Sequence, residues 1–158
     1  LTRSLSEWQI ITAKYLAGLL LVIFSVLPTI VYYFSLKSLG NPVGNIDSGG
    51  TWGSYLGLIF LGGSFVSIGL FASSLTENQI VSFLIGFFLC FFFYAGFDSI
   101  ASMELFQPLD QLIIKLGINE HFGSMSRGVI DSRDLIYFIS FTLFFLALTR
   151  FRLLSRTW

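Results

Sequence analysis

The stretch YLAGLLLVIFSVLPTIVYYFSL, Tyr15 to Leu36, decides the fold. It carries no charge and lies between Lys14 and Lys37. A helix needs about 20 apolar residues to cross the hydrocarbon core of a bilayer, and this window supplies them. Three more charge-free windows follow. One runs over 48–76, one over 78–97, and one over 135–149. The second is too long for a single span and opens on the loop-like SGGT, so its helix is expected over 52–73. The third is expected over 78–97. The fourth gives about 22 Å of helix against a core of about 30 Å. Extension to Leu153, with Arg150 and Arg152 snorkelling, closes that gap over 135–153; a re-entrant or interfacial helix is the alternative.

Composition agrees. Of the 158 residues 54% are hydrophobic and only 11% charged, so the chain cannot cover itself with polar surface in water. The expected fold is a single all-α, polytopic helical membrane domain over 1–158. Formal net charge is zero, which gives no electrostatic footprint for nucleic acid. The lone Cys90 sits in an apolar run, so it reads as packing bulk, and no internal disulfide can form.

The connections are turn-rich. GNPVGNIDSGG joins the first two spans. SSLTENQ is a tight link in which Thr76 is expected to cap the third helix, with Gln79 at the capping-box position. The long segment 98–134 begins with apolar residues at helical spacing: Met103, Leu105, Phe106, Leu109, Leu112, Ile113 and Leu116. It predicts an amphipathic helix lying on the membrane or against the bundle, ending near Gly117. The remainder, INEHFGSMSRGVIDSRD, reads as loop.

Four spans place both ends and the 74–79 link on one side. That side holds Arg3, Lys14, Arg150, Arg152 and Arg156 against Glu7 and Glu77; the opposite side is acidic on balance. The cluster of arginines after the last span places both termini in the cytoplasm, and makes 98–134 extracytoplasmic.

Four groups of residues could carry function. In LTRSLSEWQIITAKYLAG, Ser4 or Ser6 can cap a helix that runs into the first span, with Trp8 at the interface. It reads as an interfacial anchor or as a cytoplasmic helix that docks on a partner. Gly53, Gly57, Gly62, Gly63 and Gly69 allow another helix to approach closely, within the chain or between subunits. Asp98 ends the third span, as a functional group or as the mark of the water boundary. His121 stands alone: there is no HExxH, no GxSxG and no P-loop, so no catalytic or metal-ligating set and no resident cofactor is expected.

As a set these stretches resemble the ABC-2 type permease family. Leu1 to Glu7 match the end of its cytoplasmic helix, and Lys14 its span entry. GLIFLGGSFVSIGLFASSLTENQIVSF (57–83) resembles its fourth span, inner turn and fifth-span start. HFGSMSRGVIDSRDLIYFISFTLFFLALT (121–149) resembles its last outer loop and sixth span, through His121, Phe122, Arg127, Gly128, Asp131, Asp134, Tyr137 and Phe138. The run is most similar to the permease subunits associated with gliding motility. The resemblance implies two further spans and an amphipathic helix ahead of Leu1. It also implies a bacterial inner-membrane subunit that pairs with a second permease and with a separate ATP-binding subunit holding ATP and Mg. Arg3, Ser4, Leu5, Ser6, Glu7 and Trp8 would then be the coupling helix, within an inner segment 1–14, and Thr76 and Glu77 an inner-loop contact. A non-transporting membrane scaffold for a motility or secretion machine is the alternative. It would need only the packing glycines and the outer segment.

Overall fold

The computed structural model describes residues 6–103 and 108–155. Arg3, Ser4, Leu5 and Arg156 lie outside the described residues, as do Glu104 to Gln107 of the expected amphipathic helix.

Among the described residues, four helical stretches are long and apolar enough to cross a membrane: Glu7–Leu39, Ser48–Leu75, Gln79–Ala101 and Ser132–Leu154. The first starts where Ser6 closes a capping box. Its hydroxyl accepts from the Gln9 N–H at 3.3 Å, and Gln9 Oε1 accepts from the Ser6 N–H at 3.0 Å. Helix α1 (Glu7–Val26) passes through a 3-10 turn, Leu27–Thr29, into α2 (Ile30–Leu39). Pro28 sets that turn, because it has no N–H for the ladder and its ring crowds the preceding carbonyl.

Helix α3 (Ser48–Leu75) is longer than the sequence suggests. SGGT is its first turn, not loop. Asp47 caps it by accepting from the Gly50 N–H at 3.0 Å, which outweighs the weak helix propensity of two glycines. The third stretch is α4 (Gln79–Phe91), a π-turn (Phe92–Gly96) and α5 (Phe97–Ala101). Its cap is Asn78, not Thr76. Asn78 Oδ1 accepts from the N–H groups of Ile80 and Val81 at 3.0 and 3.3 Å, while Thr76 accepts from the Asn78 N–H at 3.2 Å.

The outer segment departs most from expectation. Instead of one amphipathic helix over 103–116, the described residues show a turn after Ala101 and a short α6 (Asp110–Ile114). The stretch read as loop contains a real helix, α7 (Ile118–Ser126). Ile118, Phe122 and Met125 fall on one face of it, and burial of that face offsets its polar composition. Gly128, at φ +82°, reverses the chain. Helix α8 (Ser132–Leu154) then runs for 23 residues, about 34 Å, long and apolar enough to cross a membrane.

Helix α3 is the axis of the bundle, packed by α1, α4, α7 and α8. A third of its most apolar stretch is buried (33%), and 28% in α8, against 6% in the first and third stretches. Small residues make this possible: Gly57, Gly63, Ser64, Ser67 and Ala72 are all buried on α3. Phe138, Ile118 and Met125 form the fully buried centre, with Phe60 stacked on Phe138 at 5.9 Å. Large apolar side chains such as Leu21, Phe24, Val31, Phe83 and Phe88 stay exposed on the outer helices, as lipid contact requires.

Candidate functional site

The densest polar arrangement lies where α7 and the turn before it meet the start of α8. His121 Nδ1 lies 2.7 Å from Asp134 Oδ1. Its Nε2 lies 2.9 Å from the Lys115 carbonyl oxygen. The imidazole stacks on Tyr137, with centroids 3.9 Å apart and planes 20° from parallel. The Tyr137 hydroxyl donates to the Leu116 carbonyl at 2.6 Å. Asp134 is buried, and its Oδ2 has no partner among the described residues. Two side chains of α8, one turn apart, thus hold the His121 ring of α7, and Tyr137 also holds the Leu116 carbonyl, while the ring itself meets the Lys115 carbonyl.

Neighbouring contacts fix α7 on its other sides. Asn119 Nδ2 donates to Asp98 Oδ2 at 2.6 Å, so Asp98 ties α5 to α7 rather than only marking the water boundary. The Ser54 hydroxyl is shared between the Gly50 and Ser126 carbonyls, at 2.8 and 3.3 Å. A β-carbon on Gly57 would lie 3.1 Å from the Phe122 ring, and one on Gly53 2.9 Å from Gly128 Cα. The glycines expected to admit another span therefore split. Gly53 and Gly57 admit α7, Gly62 and Gly63 admit Val22 and Tyr15 of α1, and a β-carbon on Gly69 would meet nothing within 4 Å.

The outer-loop residues take separate roles. His121 and Asp134 meet directly. Phe122 and Gly128 pack against α3. Asp131 caps α8 by accepting from the Arg133 N–H at 3.0 Å, and that bond holds its carboxyl below the usual carboxylate range. Arg127 is exposed and makes no ion pair among the described residues.

At the opposite end of the bundle, Glu7 and Trp8 are the first turn of α1 itself. Arg150 near the end of α8 meets both: its Nε is 3.9 Å from Glu7 Oε2, and its guanidinium carbon lies 5.1 Å from the Trp8 ring centroid. Glu77 is exposed in the link between α3 and α4.

Sequence reasoning missed the joining of His121 to Asp134. The two are 13 residues apart across a reversal at Gly128, so neither a helical nor a strand period relates them. Arg150 as a partner of Trp8 was missed for the same reason, since the two stand at opposite ends of the chain. Among the described residues no group of three or more His, Cys, Asp or Glu could hold a metal ion. An apolar groove of about 740 Å³ runs between α3 and α4, where Gly69 and Cys90 lie on its wall.

Comparison with protein-family models, curated proteins and solved structures yields no match.

Proposed function

We propose that the chain is the membrane-spanning part of an ABC-2 type exporter permease in a bacterial inner membrane. A separate subunit would hydrolyse ATP, and a second permease would complete the pathway. One observation carries the reading. Six of the eight residues that carry the outer-loop resemblance, His121, Phe122, Gly128, Asp134, Tyr137 and Phe138, converge on one packed unit at one end of the bundle, while Asp131 caps α8 and Arg127 stays exposed.

In this reading that packed unit is extracytoplasmic, and the Glu7–Trp8–Arg150 end faces the ATPase. Arg150 joins the first turn of α1 to the last turns of α8, so a push on the cytoplasmic end of α1 reaches α8 directly. Helices α3 and α8 move as one packed pair, and the thinly buried outer stretches tilt around them. Motility or protein secretion is the process the resemblance favours.

The test is co-purification from membranes with an ABC ATP-binding subunit. Joint substitution of Ser4, Ser6 and Glu7 by alanine should break the association or abolish stimulation of the ATPase. Intact association and stimulation in that variant would sink the coupling role. Binding to motility or secretion components without substrate-dependent ATPase would favour the scaffold instead.

A further inference from the structure

We propose that the pocket where α1, α3 and α8 meet, at the end of the bundle that carries Trp8 and Arg150, binds the head group of an anionic phospholipid whose phosphodiester carries a hydroxylated alcohol. The inference holds whether or not the chain is a permease. The cavity measures about 210 Å³, and Lys14, Ser73, Ser74 and Thr149 line it together with apolar Ile10 and Leu70. Sites that enclose drug-sized molecules run to about 300–1,000 Å³, so this one has room for a head group and not for a whole lipid. It lies where the spans end. Lys14 flanks the charge-free window 15–36, Ser74 is in the last turn of α3, and Thr149 directly precedes Arg150 on α8.

The polar lining divides into one cation and a set of acceptors. The Ser73, Ser74 and Thr149 hydroxyls donate to the Leu70, Phe71 and Phe145 carbonyls of their own helices, at 2.9, 2.6 and 2.8 Å. A hydroxyl has one proton, so each has only lone pairs left to offer a ligand. Ser74 and Thr149 are 6% and 4% exposed, so bulk water scarcely reaches those oxygens. Lys14 supplies three ammonium donors. Its side chain is exposed and makes no ion pair among the described residues, whereas Arg150 already has Glu7 and Trp8. At this end the cations Lys14, Arg150 and Arg152 outnumber the acids Glu7 and Glu77 among the described residues.

A ligand that complements this lining needs an anion for Lys14 and hydroxyl donors for Ser74 and Thr149. A phosphodiester bearing a glycerol-like alcohol has both. A zwitterionic head group brings its own ammonium, which competes with Lys14 for the phosphate. The apolar wall of Ile10 and Leu70 suits the glycerol backbone and the first carbons of the acyl chains, and a free phosphate ester has nothing to place there. Basic pockets between spans are recurrent sites for anionic head groups.

The test titrates the full chain in dodecyl maltoside with dioleoyl phosphatidylglycerol, phosphatidylethanolamine or phosphatidylmethanol, and counts bound lipids by native mass spectrometry. Phosphatidylmethanol has the charge without the hydroxyls. One phosphatidylglycerol per chain should be held in preference to either of the others. Lys14→Gln should weaken that binding about fivefold. Lys37→Gln makes the same charge change at the other end of the first helical stretch and should leave binding as it was. Thr149→Val should weaken phosphatidylglycerol about fivefold and leave phosphatidylmethanol unchanged. Glycerophosphate in large excess should displace neither lipid. Equal retention of the three lipids, equal effects of the two lysine variants, or displacement by glycerophosphate would overturn the proposal. If Thr149→Val fails to fold, the wild-type preference for phosphatidylglycerol over phosphatidylmethanol decides the part played by the hydroxyls.

Discussion

A β-carbon built on Gly53 would lie 2.9 Å from the Cα of Gly128 and closer still to the Met125 carbonyl oxygen, so α3 has no room there for a side chain against the backbone of the reversal after α7. Backbone cannot swing aside as a flexible side chain can. Gly53→Ala should therefore destabilise the fold by about 1–3 kcal/mol through overpacking. Gly69→Ala meets open space and should be neutral, or stabilising by about 0.5 kcal/mol through helix propensity. Reversible unfolding of both variants in mixed micelles checks the pair, and equal effects would show that the close approach carries no energy.

Tyr137→Phe keeps the ring stacked on His121 but leaves the Leu116 carbonyl without its 2.6 Å donor. A loss of about 1 kcal/mol is expected. The loss should appear as faster amide exchange around Leu116 and in α7, with α3 unaffected.

Arg150 contacts an aromatic face and a carboxylate at once, but the ion pair is long and its partners are 42% and 33% exposed. Screening by water makes that half weak. Glu7→Gln should cost less than about 0.5 kcal/mol. Arg150→Ala, which also removes the guanidinium from Trp8, should cost about 1 kcal/mol and change Trp8 fluorescence. A larger effect for Glu7→Gln than for Arg150→Ala would reverse the ranking.

Asp131 is fully exposed, and the Arg133 N–H bond depresses its carboxyl. A depressed acid stabilises the fold above its ordinary titration range, and that contribution is lost as pH falls through the depressed value. Asp131→Asn keeps an accepting oxygen at the cap, so the difference between it and the wild type should shrink in that acid window. Asp131→Ala should weaken the start of α8 at every pH. Unfolding midpoints measured from neutral to acid pH separate the two; an Asn variant parallel to the wild type throughout would remove the charge from the account.

Much of this fold is legible in the residues because a bilayer imposes it. Charge-free windows as long as 15–36 have only one way to satisfy their backbone groups in hydrocarbon, and all four became helices. A serine cap at Ser4 or Ser6 was readable from the sequence, and the capping box with Gln9 places it at Ser6. Local chemistry misled at SGGT and at INEHFGSMS. Glycine, serine and asparagine there suggest loop, but Asp47 caps the first, and burial of Ile118, Phe122 and Met125 holds the second as α7.

Hydropathy alone thus determined that this is a four-span helical chain and roughly where each span runs, because length and apolarity are properties of a segment by itself. Which spans are central, that Gly53 and Gly57 admit α7 instead of another span, and that His121 meets Asp134 were decided only by the tertiary structure. Those are relations between segments. They depend on where the turn at Gly128 sends the chain and on which faces then pack, and no spacing along the sequence encodes either.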